Sequence, residues 1–159
     1  MTKSMQSHQG LYTVEFALVA GVFFFFLFAV FEVGRLFYSW NVLTEISRRT
    51  VRLAVVCDMD QSTLSARSDM IEAAVEDAQN LLPNLSSSNI QIDYLGFDGT
   101  TATTFSEIRL VRASIVNYSF SFLIPGLSIT LNSPNFAATL PRESLGVTRY
   151  NYTTCQASA

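Results

Sequence analysis

The amino-terminal third of the chain contains one long apolar run. From residue 11 to residue 31 it is interrupted only by Thr13 and Glu15. As a helix this run is roughly 31 Å long, which matches the hydrocarbon thickness of a bilayer. A helix lying on a soluble core would have a polar face, and this run has none. The pattern therefore predicts a transmembrane helix.

The helical pattern continues beyond the apolar run. Apolar residues recur at three-to-four spacing from Leu36 to Val55, as in a helix that buries one face. A cleaved secretory signal peptide is the alternative, but "EVGRLFY" after the run has no small-x-small cleavage pattern. We therefore expect one helix over residues 11–56, a transmembrane and stem helix, followed by a head domain over residues 57–159.

Polar residues 58–63 break this helix and introduce the head. Ser62 or Thr63 is placed to cap a second helix, which Pro83 would end. Two aspartates in "DMD" are interpreted as part of a solvated turn in preference to a metal site. The second helix would bury a stripe made of Leu64, Ile71, Ala74, Val75, Ala78, Leu81 and Leu82.

Strand-like patterns follow the second helix. They predict strands over residues 90–94, 106–120, 128–131 and 145–152, with a loop over 96–104. Helices followed by a run of strands indicate an α+β fold with a small antiparallel sheet. A dense apolar loop is interpreted either as core filling or as a partner-binding patch; it comprises Phe120, Phe122, Leu123, Ile124 and Leu127, around the turn Pro125-Gly126.

Composition limits the chemistry that the chain can perform. Its 159 residues are 49% hydrophobic and 14% charged, and the formal net charge of −3 leaves no basic surface for nucleic acid. The only histidine is His8 and the only lysine is Lys3. If the segment up to Gly10 is removed, the chain has neither His nor Lys, which excludes the common nucleophilic dyads and histidine metal sites. We expect no catalytic residue, metal or cofactor.

The two cysteines, Cys57 and Cys155, are too few for a zinc site. In an exported domain such a distant pair is interpreted as one disulfide, which would tie the end of the stem helix to the carboxyl terminus. Two buried free thiols are the alternative.

Three stretches together resemble a known family. "G-LYTVE-F" places a glycine five residues before a glutamate at the front of an apolar helix, as in type IV pilin precursors. "VEFALV", "FEVGRLFY" and "SRRTVRLAV" narrow the resemblance to the TadE/TadF-like minor pilins, or pseudopilins, of the tight-adherence (Tad/Flp) pilus. The resemblance covers residues 10–56. The chain departs from the family pattern at Ala20-Gly21, where a proline is frequent, and at Ser47 and Thr50, where alanines are common.

The resemblance implies a processing site and an assembly residue. A prepilin peptidase would cut between Gly10 and Leu11 and remove residues 1–10, a cytoplasmic leader. Glu15 would then pair with the new amino terminus of a neighbouring subunit, which low dielectric favours. The alternative is that Glu15 only reaches towards the lipid headgroups.

A second cluster lies where the helix would leave the membrane. Glu32 and Arg35 are three residues apart and flank Gly34, whose small size permits close helix approach. They are interpreted either as a local ion pair or as a docking site for a partner minor pilin or the inner-membrane assembly platform.

The resemblance also implies a pilin-like fold, partners and a location. Expected partners are the prepilin peptidase, other Tad minor pilins, the assembly platform and membrane lipid, with the major pilin as a further candidate. The protein would cross the bacterial inner membrane once, with its head in the periplasm, and enter the pilus or remain at its base. The arginines after the span, Arg35, Arg48, Arg49 and Arg52, outnumber Lys3 before it, and by themselves favour the opposite orientation.

The expected function is therefore assembly of Tad/Flp pili, in support of adherence, biofilm formation or secretion-related fibre biogenesis. A permanently anchored periplasmic binding module with an uncut helix is the second hypothesis. The third is an anchored carboxylate enzyme, but the spacing of Asp93, Asp98 and Glu107 picks out no pair facing one cleft.

Overall fold

The computed structural model describes residues 9–82, 84–123, 129–153 and 155, and it has the α+β architecture predicted from the sequence. The arrangement is consistent with a pilin-like fold: a long apolar helix, a second helix and small antiparallel sheets. The helices are α1 (Gln9–Val56) and α2 (Ser68–Gln79). The strands are β1 (Met59–Asp60), β2 (Ser65–Ala66), β3 (Ile90–Leu95), β4 (Leu110–Ile115), β5 (Ser119–Ser121), β6 (Thr130–Asn132) and β7 (Ala137–Pro141). We call the part after Val56 the head.

Helix α1 has 48 residues and is about 72 Å long at 1.5 Å per residue. The predicted single long helix is confirmed: it begins at Gln9, two residues before the predicted start, and ends at Val56 as predicted. Its second half buries a stripe against the head, which includes Leu43, Val51 and Ala54. Thr50 is also fully buried in this stripe, and its hydroxyl has no hydrogen-bond partner among the described residues.

The main sheet has the antiparallel order β3-β4-β7 and packs against the second half of α1. The register pairs Ile90 with Ile115 and Leu110 with Pro141. Strand β7 was not predicted, because Ala137–Pro141 is a half-exposed edge strand with few β-branched or aromatic residues. Its terminal proline fits an edge position, where a missing amide hydrogen costs no sheet hydrogen bond.

Two apolar clusters fill the space between α1, α2 and the sheet. The cluster nearer the apolar run joins Leu43 and Ile46 of α1 to Val75 of α2 and Ile115 of β4. The cluster at the far end of α1 surrounds Val55 and includes residues of α2, β3 and β4. The stem half of α1 is therefore part of the core of the head.

Helix α2 begins later than predicted. It starts at Ser68, with Arg67 in the capping position, so the prediction that Ser62 or Thr63 caps it is wrong. These residues lie instead in the turn between β1 and β2, where the Asp60 carboxylate accepts hydrogen bonds from the amide and hydroxyl of Ser62. The competing turn chemistry of Asp and Ser decided the local structure. Pro83, expected to end the helix, lies outside the described residues; α2 ends at Gln79.

Two strand predictions need correction. Residues 106–120 do not form one strand, because a 3-10 turn at Phe105–Glu107 precedes β4 and a turn at Asn117, with φ of 55°, separates β4 from β5. Strand β5 pairs with β6 in a separate antiparallel ribbon. Residues 145–152 form turns with a single bridge between Val147 and Tyr152 rather than a strand.

Candidate functional site

The first half of α1 presents an apolar surface that the head does not cover. Within Tyr12–Val56, the most apolar stretch has a mean hydropathy of 2.5 and none of it is buried. Among the described residues this is the one helix long and apolar enough to cross a membrane. It fits a single-pass membrane anchor. The exposed side chains are those of Phe16, Leu18, Val19, Val22, Phe23, Phe24, Phe25, Phe26, Phe28, Val30 and Phe31.

Glu15 is exposed on this apolar surface. The structure gives it no ion pair within the part of the chain that it describes. It lies about 6 Å along the helix axis from Leu11, or roughly one turn. Gly10 is in the first turn of α1, whereas most of the predicted leader, residues 1–8, lies outside the described residues. The carboxylate is thus displayed where a partner from another chain has free access.

Glu32 lies at the junction between the apolar half of α1 and the head. Its carboxylate is buried and accepts two hydrogen bonds from Arg35 Nη1, at 2.6 and 2.8 Å. It also accepts a bond of 3.2 Å from the backbone amide of Leu123, just after β5. The Arg35 guanidinium in turn lies over the Phe120 ring, 5.2 Å from its centre. This pair therefore holds the β5–β6 ribbon against the helix, and sequence reasoning missed that role because Leu123 is 91 residues away.

Gly34, unlike Glu32 and Arg35, has open space around it. A Cβ added to it would meet nothing within 4 Å, so no part of the described head requires a glycine here. Its surface is open to another chain. Docking of a partner helix at this position stays a prediction.

The described residues of the apolar loop differ in burial, so core filling applies to some of them and a partner-binding patch is open to others. Phe120 is buried under Arg35 and fills space beside the helix. Leu123 is 69% exposed, so most of its side chain lies outside the core. The loop residues Ile124 and Leu127, and the turn Pro125-Gly126, lie outside the described residues.

The far end of α1 is closed by the carboxyl-terminal segment. The carbonyl oxygens of Val55 and Val56 accept hydrogen bonds from the amides of Leu145 and Gly146, at 3.0 and 2.9 Å. A helix end leaves such carbonyls without partners inside the helix, so these bonds complete it. Sequence reasoning missed this cap because its partners are 90 residues apart in the chain; Gly146 adopts φ of +79° there.

The disulfide lies beside this cap. Cys57 and Cys155 are bonded, with their α-carbons 5.6 Å apart, and the structure contains no free cysteine. The interpretation as one bridge is confirmed, and the alternative of two thiols is not. The bond and the cap together connect the end of the stem helix to the end of the head.

The three carboxylates considered for catalysis each accept local hydrogen bonds. Asp98 accepts bonds from the hydroxyl and amide of Thr100, which lower the pKa of the Asp98 carboxyl. Bonds from the amide and hydroxyl of Thr103 likewise lower the pKa of Glu107. A general acid needs a raised pKa, so these shifts have the opposite sign to the one that such catalysis requires. The third carboxylate, Asp93, accepts a hydrogen bond from Gln91.

Comparison with known proteins bears on the helix and leaves the head unmatched. Residues 10–52 match a family model described as TadE-like protein. The predicted resemblance to that family is confirmed over this range, which we call the TadE-like segment.

The TadE-like segment includes Gly10, Glu15, Glu32 and Arg35, and it indicates involvement in the Tad pilus system. The family is structural and non-enzymatic, and its pilus context indicates other pilus components as partners. A search of curated proteins and a search of solved structures each gave no match.

Proposed function

We propose that this protein is a minor pilin, or pseudopilin, that supports assembly of a Tad/Flp pilus. The observation that carries the proposal is the position of Glu15. The TadE-like segment begins at Gly10, and Glu15 lies five residues later as an exposed carboxylate on the apolar first half of α1. A carboxylate that stays alone in lipid is costly, whereas one that meets a subunit amine is compensated.

The proposed maturation is a cut by a prepilin peptidase between Gly10 and Leu11. Residues 1–10 then form the leader, residues 11–56 the transmembrane and stem helix, and residues 57–159 the head. The cut creates an α-ammonium one helical turn from Glu15, which gives neighbouring subunits complementary charges. In this proposal the helix crosses the bacterial inner membrane with the head in the periplasm, where a disulfide persists.

The proposed partners follow from the same surfaces. Glu15 and the new amino terminus would engage other minor pilins or the major pilin. The open helix surface at Gly34 suits close approach of a partner helix or of the assembly platform. Such a component would support adherence, biofilm formation or secretion through the fibre that it helps to build.

The proposal is tested by co-expressing the full chain with a prepilin peptidase and measuring the intact mass. We expect a mature chain that begins at Leu11. Gly10→Val should block the cut, because a β-branched side chain replaces the small residue at the cleavage point. Gly21→Val is the matched control, since an added Cβ there meets nothing within 4 Å, and it should be cut normally. A wild-type chain that retains Met1 to Gly10 beside an active peptidase would overturn the proposal.

A further inference from the structure

The described end of the β5–β6 ribbon, Leu123 and Ile129, which we call the ribbon tip, lies level with the end of the continuous apolar run of α1 at Phe31. The amide of Leu123 is 3.2 Å from the carboxylate of Glu32, and Glu32 directly follows the last exposed residue of the apolar run, Phe31. From Tyr12 to Phe31 the helix is about 30 Å long, which is the thickness of the hydrocarbon layer. With this stretch of α1 across a bilayer, the ribbon tip would lie at the boundary between hydrocarbon and headgroups.

The side chains at this tip are apolar and exposed. Leu123 is 69% exposed, and Ile129, whose carbonyl accepts a bond from the Phe122 amide, is 42% exposed. Leu131 in β6 is 39% exposed. The described parts of the ribbon, residues 119–123 and 129–133, contain no charged residue. An apolar, uncharged surface at this depth has the chemistry of a membrane-contacting surface.

We propose that the β5–β6 ribbon is a second membrane anchor, which dips Leu123 and Ile129 into the lipid beside α1. The occupant of this surface is the acyl and headgroup boundary of the bilayer. Continuity with α1 favours lipid over a protein partner, because exposed apolar side chains of the helix, Val33 and Phe37, continue on past Glu32, the residue that contacts Leu123. The proposal rests on the membrane insertion of α1 that the proposed function includes.

A second anchor would limit rotation of the head about the axis of α1. One transmembrane helix leaves the head free to rotate about the helix axis. Glu32 binds both Arg35 and the Leu123 amide, so the ribbon is fixed to one side of the helix. Two contacts with the bilayer then set which face of the head lies towards the membrane and which faces remain open to other subunits.

The test uses tryptophan fluorescence of the full chain in lipid vesicles. Trp40 is the only tryptophan, so Trp40→Phe gives a chain without tryptophan fluorescence. The phenylalanine keeps an aromatic ring against Phe136. Single tryptophans are then placed by Leu123→Trp at the ribbon tip, Phe24→Trp in the apolar run and Phe97→Trp in the head. All three positions are exposed, and Phe97, at 92% exposure, is the matched control in water.

Lipids that carry a spin-label quencher near the headgroup or near the chain end report depth. We expect Leu123→Trp to be quenched best by the headgroup-proximal label, Phe24→Trp best by the deep label, and Phe97→Trp by neither. If Phe24→Trp is quenched while Leu123→Trp behaves like Phe97→Trp, the second anchor is overturned and the membrane helix stands. If Phe24→Trp is also unquenched, membrane insertion fails together with the proposed function. A blue-shifted but unquenched Leu123→Trp would assign the surface to a protein neighbour and also overturn the anchor.

Discussion

The amide of Gly146 donates a hydrogen bond of 2.9 Å to the carbonyl oxygen of Val56, the last residue of the 48-residue helix. Gly146 reaches this carbonyl with φ of +79°, a conformation that L-residues rarely adopt. It also passes so close to Asp58 that an added Cβ would overlap its backbone and lie 2.7 Å from its Cβ. Both properties require glycine, so the cap on the stem helix depends on this one position.

Gly146→Ala should therefore destabilise the head, and Gly99→Ala is its matched control. Gly99 has φ of +80°, but an added Cβ there meets nothing within 4 Å. The control should cost only the left-handed conformation, about 1–2 kcal/mol. Gly146→Ala should cost a further amount of about 1–3 kcal/mol, because backbone atoms of Asp58 must move. Urea unfolding followed by Trp40 fluorescence in detergent measures both, and equal losses would show that the contact with Asp58 carries no energy.

Loss of the Cys57–Cys155 bond should lower the stability of the head. The bond joins residues 98 apart, and the chain-entropy relation gives an upper value of about 4.7 kcal/mol for a loop of that size. Cys155→Ala and reduction of the wild type should both lower the urea midpoint. A reductant added to Cys155→Ala should then have no further effect. A reduced wild type with an unchanged midpoint would mean that the hydrogen bonds of the cap suffice.

The sequence predicts the long helix well because its signal is local. Residues 11–56 carry their own periodicity, and the end at Val56 follows from the polar residues after it. The roles of Gly146 and Leu123 were missed for the opposite reason. Each is defined by a partner 90 or so residues away, Val56 or Glu32, and no local pattern records such a pairing. Strand β7 was missed because Ala137–Pro141 contains few of the β-branched and aromatic residues that mark a strand in a sequence.

The stability of the head should fall at high pH through Tyr94. Burial in the sheet, with the charge of Asp58 nearby, raises the pKa of Tyr94 from 10.0 to about 12. The folded state keeps the phenol protonated where the unfolded state begins to lose the proton. The contribution is therefore fully present below pH 10 and is lost as pH rises to about 12, with a maximum loss of about 3 kcal/mol.

Tyr94→Phe is the variant that tests this titration. It keeps the ring and removes the ionising group, so its free energy of unfolding should fall less between pH 10 and 12 than that of the wild type. Tyr150→Phe is the control for general alkaline effects, because the Tyr150 side chain is 88% exposed. The attribution to Tyr94 would be contradicted if the wild type and Tyr94→Phe lost stability in parallel.

Glu32→Ala should release the β5–β6 ribbon from α1. It removes the acceptor of the Leu123 amide and leaves Arg35 without its ion-pair partner. Hydrogen bonds to charged groups contribute about 1.5–3 kcal/mol. Loss of this bond should therefore make hydrogen exchange of the Leu123 amide with solvent roughly 10- to 100-fold faster. Glu32→Gln, which keeps an acceptor without the charge, should give an intermediate rate. Glu45→Gln, at an exposed position of the same helix, should leave the rate unchanged, and equal rates in all variants would contradict the role of Glu32.

Substitution of Glu15 should affect pilus assembly without affecting cleavage after Gly10. If it pairs with the amino terminus of a neighbouring subunit, Glu15→Ala should still be cut after Gly10, because the change makes the helix more apolar and leaves the cleavage point intact. The mature variant should then be missing from pilus assemblies isolated from cells, and co-purification with other pilus subunits should be lost. Leu18→Ala, at another exposed position on the same apolar surface, should mature and co-purify normally. Recovery of Glu15→Ala in assemblies at the wild-type level would show that the carboxylate only reaches the headgroups, since a side chain with that role has no partner to lose.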